Sequence, residues 1–91
     1  MATAGPVTLA ISNRRGLHAR ASTRLVATAS RSDTTINVAK DGREMLGTSI
    51  MGLMMLAAAQ GDSIEVRAEG PQAEAALAAL VELVETRFGE D

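Results

Sequence analysis

The sequence contains no cysteine, tryptophan or tyrosine, and it has one phenylalanine and one histidine among 91 residues. Without cysteine the chain cannot form a disulfide, which agrees with a cytoplasmic protein. A single histidine without cysteine leaves a zinc site short of its usual ligands, so we expect no metal and no cofactor. No apolar run approaches the ~20 residues of a membrane helix, and the first residues do not resemble a signal peptide, so we expect no membrane insertion.

The charges are distributed unevenly, although the net charge is only −2. Residues 1–32 contain five arginines and no acid, whereas all eleven acids lie from Asp33 onward. The five are Arg14, Arg15, Arg20, Arg24 and Arg31. This N-terminal basic region would attract acidic partners. Nucleic acid is the alternative partner, but the lack of stacking aromatic side chains and the acidity of the whole chain favour proteins.

Hydrophobic periodicity predicts seven elements in one small domain, residues 1–91. Strands are predicted at 7–12, 34–40, 43–46 and 63–68, and helices at 19–30, 47–57 and from 73 to about 88, where Phe88 continues the apolar face. Asp41-Gly42 indicates a tight hairpin, and Thr48 or Ser49 should cap the middle helix. The order βαββαβα predicts an α+β domain, with an antiparallel four-stranded sheet and helices on one face.

The middle helical segment is unusually rich in methionine. Met51, Met54 and Met55 are interpreted first as core filler, because methionine fits irregular gaps in a hydrophobic core. The same side chains on an open surface would instead form an adaptable docking surface for several partners. Both interpretations stay open if the three side chains face different ways.

The single histidine, His18, lies where a strand pattern ends and a helix pattern begins. Lone histidines are commonly surface or helix-capping residues, and that interpretation is the simpler one. A helix N-terminus, however, offers free N–H groups and partial positive charge to an anion, and Arg20 could add a guanidinium for phosphate oxygens. No nucleophile-elbow motif supports triad hydrolysis. Phosphate is therefore the ligand that the pattern favours.

Two motifs at their particular spacing resemble those of a known family. Gly16-Leu17-His18-Ala19-Arg20 and Ser49-Ile50-Met51-Gly52-Leu53-Met54 are similar to the motifs of the histidine-containing phosphocarrier protein HPr of the bacterial phosphotransferase system. The resemblance extends from Val7 to about Arg87. It implies an open-faced β-sandwich, with a four-stranded antiparallel sheet and three helices on one face, which matches the order of the predicted elements.

The resemblance also implies a function. His18 would accept a phosphoryl group from phosphorylated Enzyme I, on Nδ1, and pass it to a histidine of a IIA-type domain. Ala19 and Arg20, at the helix N-terminus, would hold the phosphoryl group, and Ser49 matches a serine that an HPr kinase phosphorylates in some lineages. The chain would then be a carrier and a substrate of its partners rather than an enzyme.

Partner docking is expected at four residues around His18 and the methionine-rich segment. These are Leu17, Arg24, Ile50 and Met51. We expect the chain to act as a monomer, in sugar uptake or in a nitrogen-related regulatory relay. Two other functions stay open: a regulatory adaptor controlled by phosphorylation at His18 or Ser49, and a small nucleic-acid-binding domain.

One residue departs from the family pattern. Proline usually follows the arginine of the first motif, whereas here Ala21 and Ser22 follow Arg20. Proline suits the first turn of a helix, because it has no N–H to leave unpaired. Alanine keeps helix propensity, so we expect a more flexible but intact helix start, with the groups needed for the chemistry unchanged.

Overall fold

The computed structural model describes residues 2–90, and the predicted element order βαββαβα is confirmed within them. The elements are β1 (Thr3–Ala10), α1 (Ala19–Ala29), β2 (Thr35–Lys40), β3 (Arg43–Leu46), α2 (Ile50–Met55), β4 (Ser63–Glu69) and α3 (Ala73–Glu85), followed by a short 3₁₀ turn (Arg87–Gly89). No helix in this part of the chain is both long enough and apolar enough to cross a membrane.

The four strands form one antiparallel sheet in the order β1-β4-β2-β3. Side chains along β4 alternate, with Ile64, Val66 and Ala68 buried while Glu65 is exposed. This alternation is expected for an antiparallel sheet with one face against the core and the other in water. The three helices cover one face, so the predicted open-faced sandwich is confirmed.

The core lies between the helices and the covered face of the sheet. Leu25 of α1, Leu53 of α2, Leu80 of α3 and Val66 of β4 are each at most 1% exposed. Phe88, the chain's single aromatic residue, is completely buried with them. Removal of apolar surface from water stabilises this arrangement by roughly 25 cal/mol per Å². Because each helix contributes to the same core, the loops between the helices and strands are held in fixed positions.

The first strand lies earlier in the chain than predicted. β1 begins at Thr3 rather than at residue 7 and ends at Ala10 rather than at residue 12. The sequence Gly5-Pro6 suggests an interruption, and the pairing with β4 does shift register between Ala4 and Val7. The strand nevertheless continues through the shift, because β1 is an edge strand, where a residue without an N–H is tolerated.

The last helix is shorter than predicted. α3 ends at Glu85, and Arg87, Phe88 and Gly89 all adopt positive φ angles, between 55° and 74°. The apolar residue at position 88 is therefore buried by a chain reversal and not by a further helical turn. Because a non-glycine residue in this conformation costs about 1–2 kcal/mol, burial of the aromatic ring has to offset that cost. The reversal directs Glu90 towards the start of α1.

The interpretation of the methionines as core filler is wrong. Met51, Met54 and Met55 are 73%, 43% and 59% exposed, whereas Leu53 and Leu56 of the same segment are fully buried. The short helix α2 thus places Leu53 in the core and its methionines in solvent, and Leu56, directly after the helix, is also buried. Periodicity could not separate these residues, because nearly all side chains of the segment are apolar.

Candidate functional site

The backbone of His18 caps helix α1 while its side chain does not. The residue has an extended conformation (φ −73°, ψ −178°), and its carbonyl accepts a hydrogen bond from the Ser22 N–H at 2.9 Å. The imidazole makes no capping hydrogen bond and is 21% exposed. The helix-capping interpretation therefore does not account for this side chain, which is turned towards another part of the molecule.

The loop before His18 is fixed by a close backbone approach. Gly16 has φ +64°, and a Cβ at this position would lie only 2.3 Å from the Ala58 carbonyl oxygen. The next N–H, that of Leu17, donates to the same carbonyl at 2.9 Å. A side chain at position 16 would push the loop away from the segment that follows α2, so glycine is required there.

The docking role predicted for Leu17 is corrected by the structure. Its side chain is only 4% exposed and belongs to the hydrophobic core. The Leu17 carbonyl also accepts a hydrogen bond from the buried hydroxyl of Ser22 at 3.1 Å. Leu17 therefore anchors the His18 loop to the hydrophobic core, and its side chain is too buried to contact a partner.

The side chain of Glu90 contacts His18 directly. His18 Nε2 lies 2.9 Å from Glu90 Oε1 and 3.0 Å from Oε2, and the Glu90 side chain is 18% exposed. Sequence reasoning missed this residue, because 72 positions separate the two and no motif includes the glutamate. Residues 1–32 contain no acid, but the fold brings an acid from the other end of the chain to this basic region. A carboxylate lies in that region.

A buried amide holds the same carboxylate. Asn13 is fully buried, and its Nδ2 donates to Glu90 Oε1 at 2.9 Å and to the Gly16 carbonyl at 2.8 Å. The hydrogen bond with His18, followed by that from Asn13, lowers the pKa of the Glu90 carboxyl below its usual value, against a smaller opposing effect of burial. The positive charge of Arg20 acts weakly in the same direction. The site therefore favours the ionised carboxylate.

Two arginines of α1, Arg20 and Arg24, have different surroundings. Arg20 is exposed, at the second position of the helix after the exposed Ala19. Arg24 Nη1 donates to the carbonyl oxygen of Phe88, in the turn that precedes Glu90. Arg24, which the sequence predicts as a docking residue, thus also has a structural role, since its guanidinium holds the C-terminal turn against α1.

Ser49 caps helix α2, as predicted. Its hydroxyl oxygen accepts a hydrogen bond from the Gly52 N–H at 3.0 Å. The next two residues, Ile50 and Met51, are both exposed.

The start of helix α1 is intact without the family's proline. Ala21 is fully buried there, and α1 begins at Ala19.

Comparison with known proteins identifies the family. A family model described as "PTS HPr component phosphorylation site" matches residues 7–86. The phosphocarrier protein HPr of Xylella fastidiosa (strain Temecula1) is 47% identical over 83 residues, which cover 91% of this chain and 93% of that protein. The chain belongs to the HPr family. It is a phosphoryl carrier of the phosphotransferase system, as the resemblance implied.

Solved structures of HPr proteins agree with the fold. HPr-C-His from Thermoanaerobacter tengcongensis superposes with a TM-score of 0.90 at 43% identity, covering 100% of this chain and 99% of that one. A structure of an HPr dimer from the same organism has a TM-score of 0.76 at 44% identity, covering 96% and 100%. The open-faced sandwich is thus the fold of this chain and of these HPr proteins.

Proposed function

We propose that His18 is the residue that carries the phosphoryl group. The observation that carries this proposal is that a chain of a family named for its phosphorylation site has a single histidine. The imidazole is accessible to a partner, and its ring is not used for helix capping. A nitrogen lone pair of the ring forms a bond to phosphorus while the bond between phosphorus and the donor breaks.

The start of α1 would stabilise the transferred group. Ala19 and Arg20 occupy the first two helical positions, where backbone N–H groups and the helix dipole favour an anion. Phosphoryl transfer depends mainly on positioning and on stabilisation of charge, so a guanidinium and a helix terminus are suitable groups. Both are solvent-exposed. The next acceptor can therefore reach the group and remove it.

The partners follow from this role. Phosphorylated Enzyme I would be the donor and a histidine of a IIA-type domain the acceptor, in the cytoplasm, with residues 1–91 acting as a single domain and a monomer. Exposed residues that would contact both are Arg24, Ile50 and Met51. One relative forms a dimer in its solved structure, so sedimentation at micromolar concentration is the direct test of the monomer.

The decisive experiment uses His18→Ala. The wild-type chain, incubated with Enzyme I and phosphoenolpyruvate, should gain one phosphate that is labile in acid and stable in base, as expected for an N–P bond. The alanine variant should gain none, because the chain has no other histidine. Phosphorylation that persists in this variant would contradict the proposal.

Regulation through Ser49 is the second candidate function. The serine lies beside the exposed Ile50 and Met51, so a phosphate on it would add about −2 charges to a surface that we propose as a docking site. An HPr kinase would be the enzyme that adds it. The chain would then act as an adaptor, whose partner binding depends on the phosphorylation state of Ser49 or His18.

A further inference from the structure

The exposed apolar side chains of this protein are concentrated in one short part of the chain. Within residues 2–90, the large apolar side chains that are exposed all lie between positions 46 and 55. They are Leu46, Ile50, Met51, Met54 and Met55. Three of the five are thioethers, which we call the methionine cluster, defined as Met51, Met54 and Met55. An oxidant in solution therefore meets three thioethers in a single short helix.

The methionine cluster differs in exposure from the other methionine that the structure describes. The sequence has no cysteine, so methionine is its only sulfur-containing residue type. Met45 is partly buried and packs against the core, and a Cβ on Gly52 would lie 3.3 Å from its Sδ. Because an oxidant must reach the sulfur atom, the exposed cluster should react before Met45.

The fold does not depend on the side chains of the methionine cluster. Helix α2 is attached to the core by the fully buried Leu53, and its start is capped by the Ser49 hydroxyl, which accepts from the Gly52 N–H at 3.0 Å. An oxygen added to an exposed sulfur would stay hydrated and would leave the core unchanged. Oxidation of the cluster would therefore alter the surface of the protein and not its fold.

We infer that the methionine cluster is a site of reversible oxidation by hydrogen peroxide, and that this oxidation weakens the binding of Enzyme I. The inference rests on the proposed function, in which the exposed Ile50 and Met51 contact that partner. A methionine sulfoxide is polar, whereas the thioether is apolar and adaptable. Burying the sulfoxide against an apolar partner surface would leave a polar oxygen without a hydrogen bond, which is unfavourable.

The chemical step is a two-electron oxidation of sulfur. The sulfur lone pair attacks one oxygen of the peroxide, an S–O bond forms and the O–O bond breaks. The other oxygen leaves and takes up the proton of the first, which gives water. The thioether is oxidised to a sulfoxide while the peroxide is reduced. Methionine sulfoxide reductases, one for each sulfoxide epimer, reverse the change.

The test compares the reduced chain with the chain treated with hydrogen peroxide, after catalase has removed the excess. Peptide mass spectrometry should show one added oxygen on Met51, Met54 and Met55, and less on Met45. The affinity for Enzyme I, measured by titration calorimetry, should fall about tenfold, because an unpaired polar group replaces an apolar one. The thermal midpoint should hardly change, since changes at exposed positions have little effect on stability. Treatment with both reductases should restore the affinity.

Leucine variants assign the effect to the methionine cluster. The triple variant Met51→Leu, Met54→Leu and Met55→Leu removes the three oxidisable sulfurs and nearly keeps the apolar volume. Whatever its starting affinity for Enzyme I, this variant should have the same affinity before and after peroxide. Met45→Leu is the matched control, because it removes a thioether that lies outside the cluster. It should lose as much affinity on oxidation as the wild type.

Four results would overturn the inference. They are unchanged affinity of the oxidised wild type, an equal loss in the oxidised triple variant, unfolding of the oxidised chain, and no recovery of affinity after complete reduction. A reduced wild-type chain that neither binds Enzyme I nor accepts its phosphoryl group would instead overturn the proposed function. Because the reduced chain is measured before any peroxide is added, the two failures are distinguishable.

Discussion

At the scale of single residues, the site depends on a few polar contacts around one imidazole. His18 meets Glu90 through Nε2, and Asn13 holds the same carboxylate from the buried side. Arg20 is exposed and makes no ion pair within 4 Å among the described residues. It is therefore available to an incoming phosphoryl group.

Substitution of Arg20 tests this availability. Arg20→Ala should slow phosphoryl transfer by roughly tenfold, the equivalent of about 1.5 kcal/mol for a lost charge-assisted hydrogen bond. Arg20→Lys should recover part of the rate, because a point charge replaces a planar guanidinium. The thermal midpoint should hardly change, since surface substitutions usually alter stability by less than ~0.5 kcal/mol. Transfer at the wild-type rate in both variants would show that Arg20 does not contact the phosphoryl group.

At the scale of elements, the short helix α2 combines a capping serine with exposed apolar side chains. Ser49 stabilises the helix start, Leu53 attaches the helix to the core, and Met51 and Met54 extend into solvent. The helix has only six residues and contains Gly52, so its stability depends on its cap and its core contact. The exposed methionines contribute little to that stability and are available for partners.

Ser49→Asp tests the regulatory candidate. Aspartate is also a good N-cap, so the thermal midpoint should be largely preserved. Enzyme I binding should weaken, because the new charge lies next to Ile50 and Met51. Ser49→Ala is the control: it should lose about 1 kcal/mol of stability with the cap and keep transfer near normal. A titration with unchanged Enzyme I affinity for Ser49→Asp would reduce Ser49 to a helix cap.

At the scale of the whole molecule, the loop after the first strand and the turn after the last helix meet at one site. The loop after β1 supplies Asn13 and His18, and the turn after α3 supplies Glu90. Because Glu90 is more acidic in the folded chain than its usual value of 4.5, its contacts link the site to overall stability.

The pH dependence of unfolding follows from this linkage. A lowered pKa in the folded state contributes stability that is fully present above about pH 4.5, the unfolded value, and that is lost as the pH falls through the folded value. The thermal midpoint of the wild type should therefore fall more steeply below pH 4.5 than that of Glu90→Gln. Glu85→Gln should follow the wild type. Parallel curves for wild type and Glu90→Gln would contradict the expectation.

Much of the fold and part of the site are determined by local sequence. Alternation along β4, the Asp41-Gly42 hairpin and the cap at Ser49 each depend on a few neighbouring residues, and all three lie where the sequence predicts them. The position of His18 at the start of α1 is equally local. The Gly16–Arg20 motif and the later serine motif then identify the family, because both occur at the spacing typical of that family.

Tertiary structure alone decided which apolar residues are buried and which acid reaches the histidine. Periodicity placed Phe88 on a helix face, whereas a left-handed turn buries it, since contact with the core outweighs local backbone preference. For the same reason Leu17, which was predicted to contact partners, is buried, and the methionines, which were interpreted as core residues, are exposed. The approach of Glu90 to His18 depends on that turn, on Arg24 and on the packing of α3 against the sheet. These are interactions between residues distant in sequence, which no local pattern records.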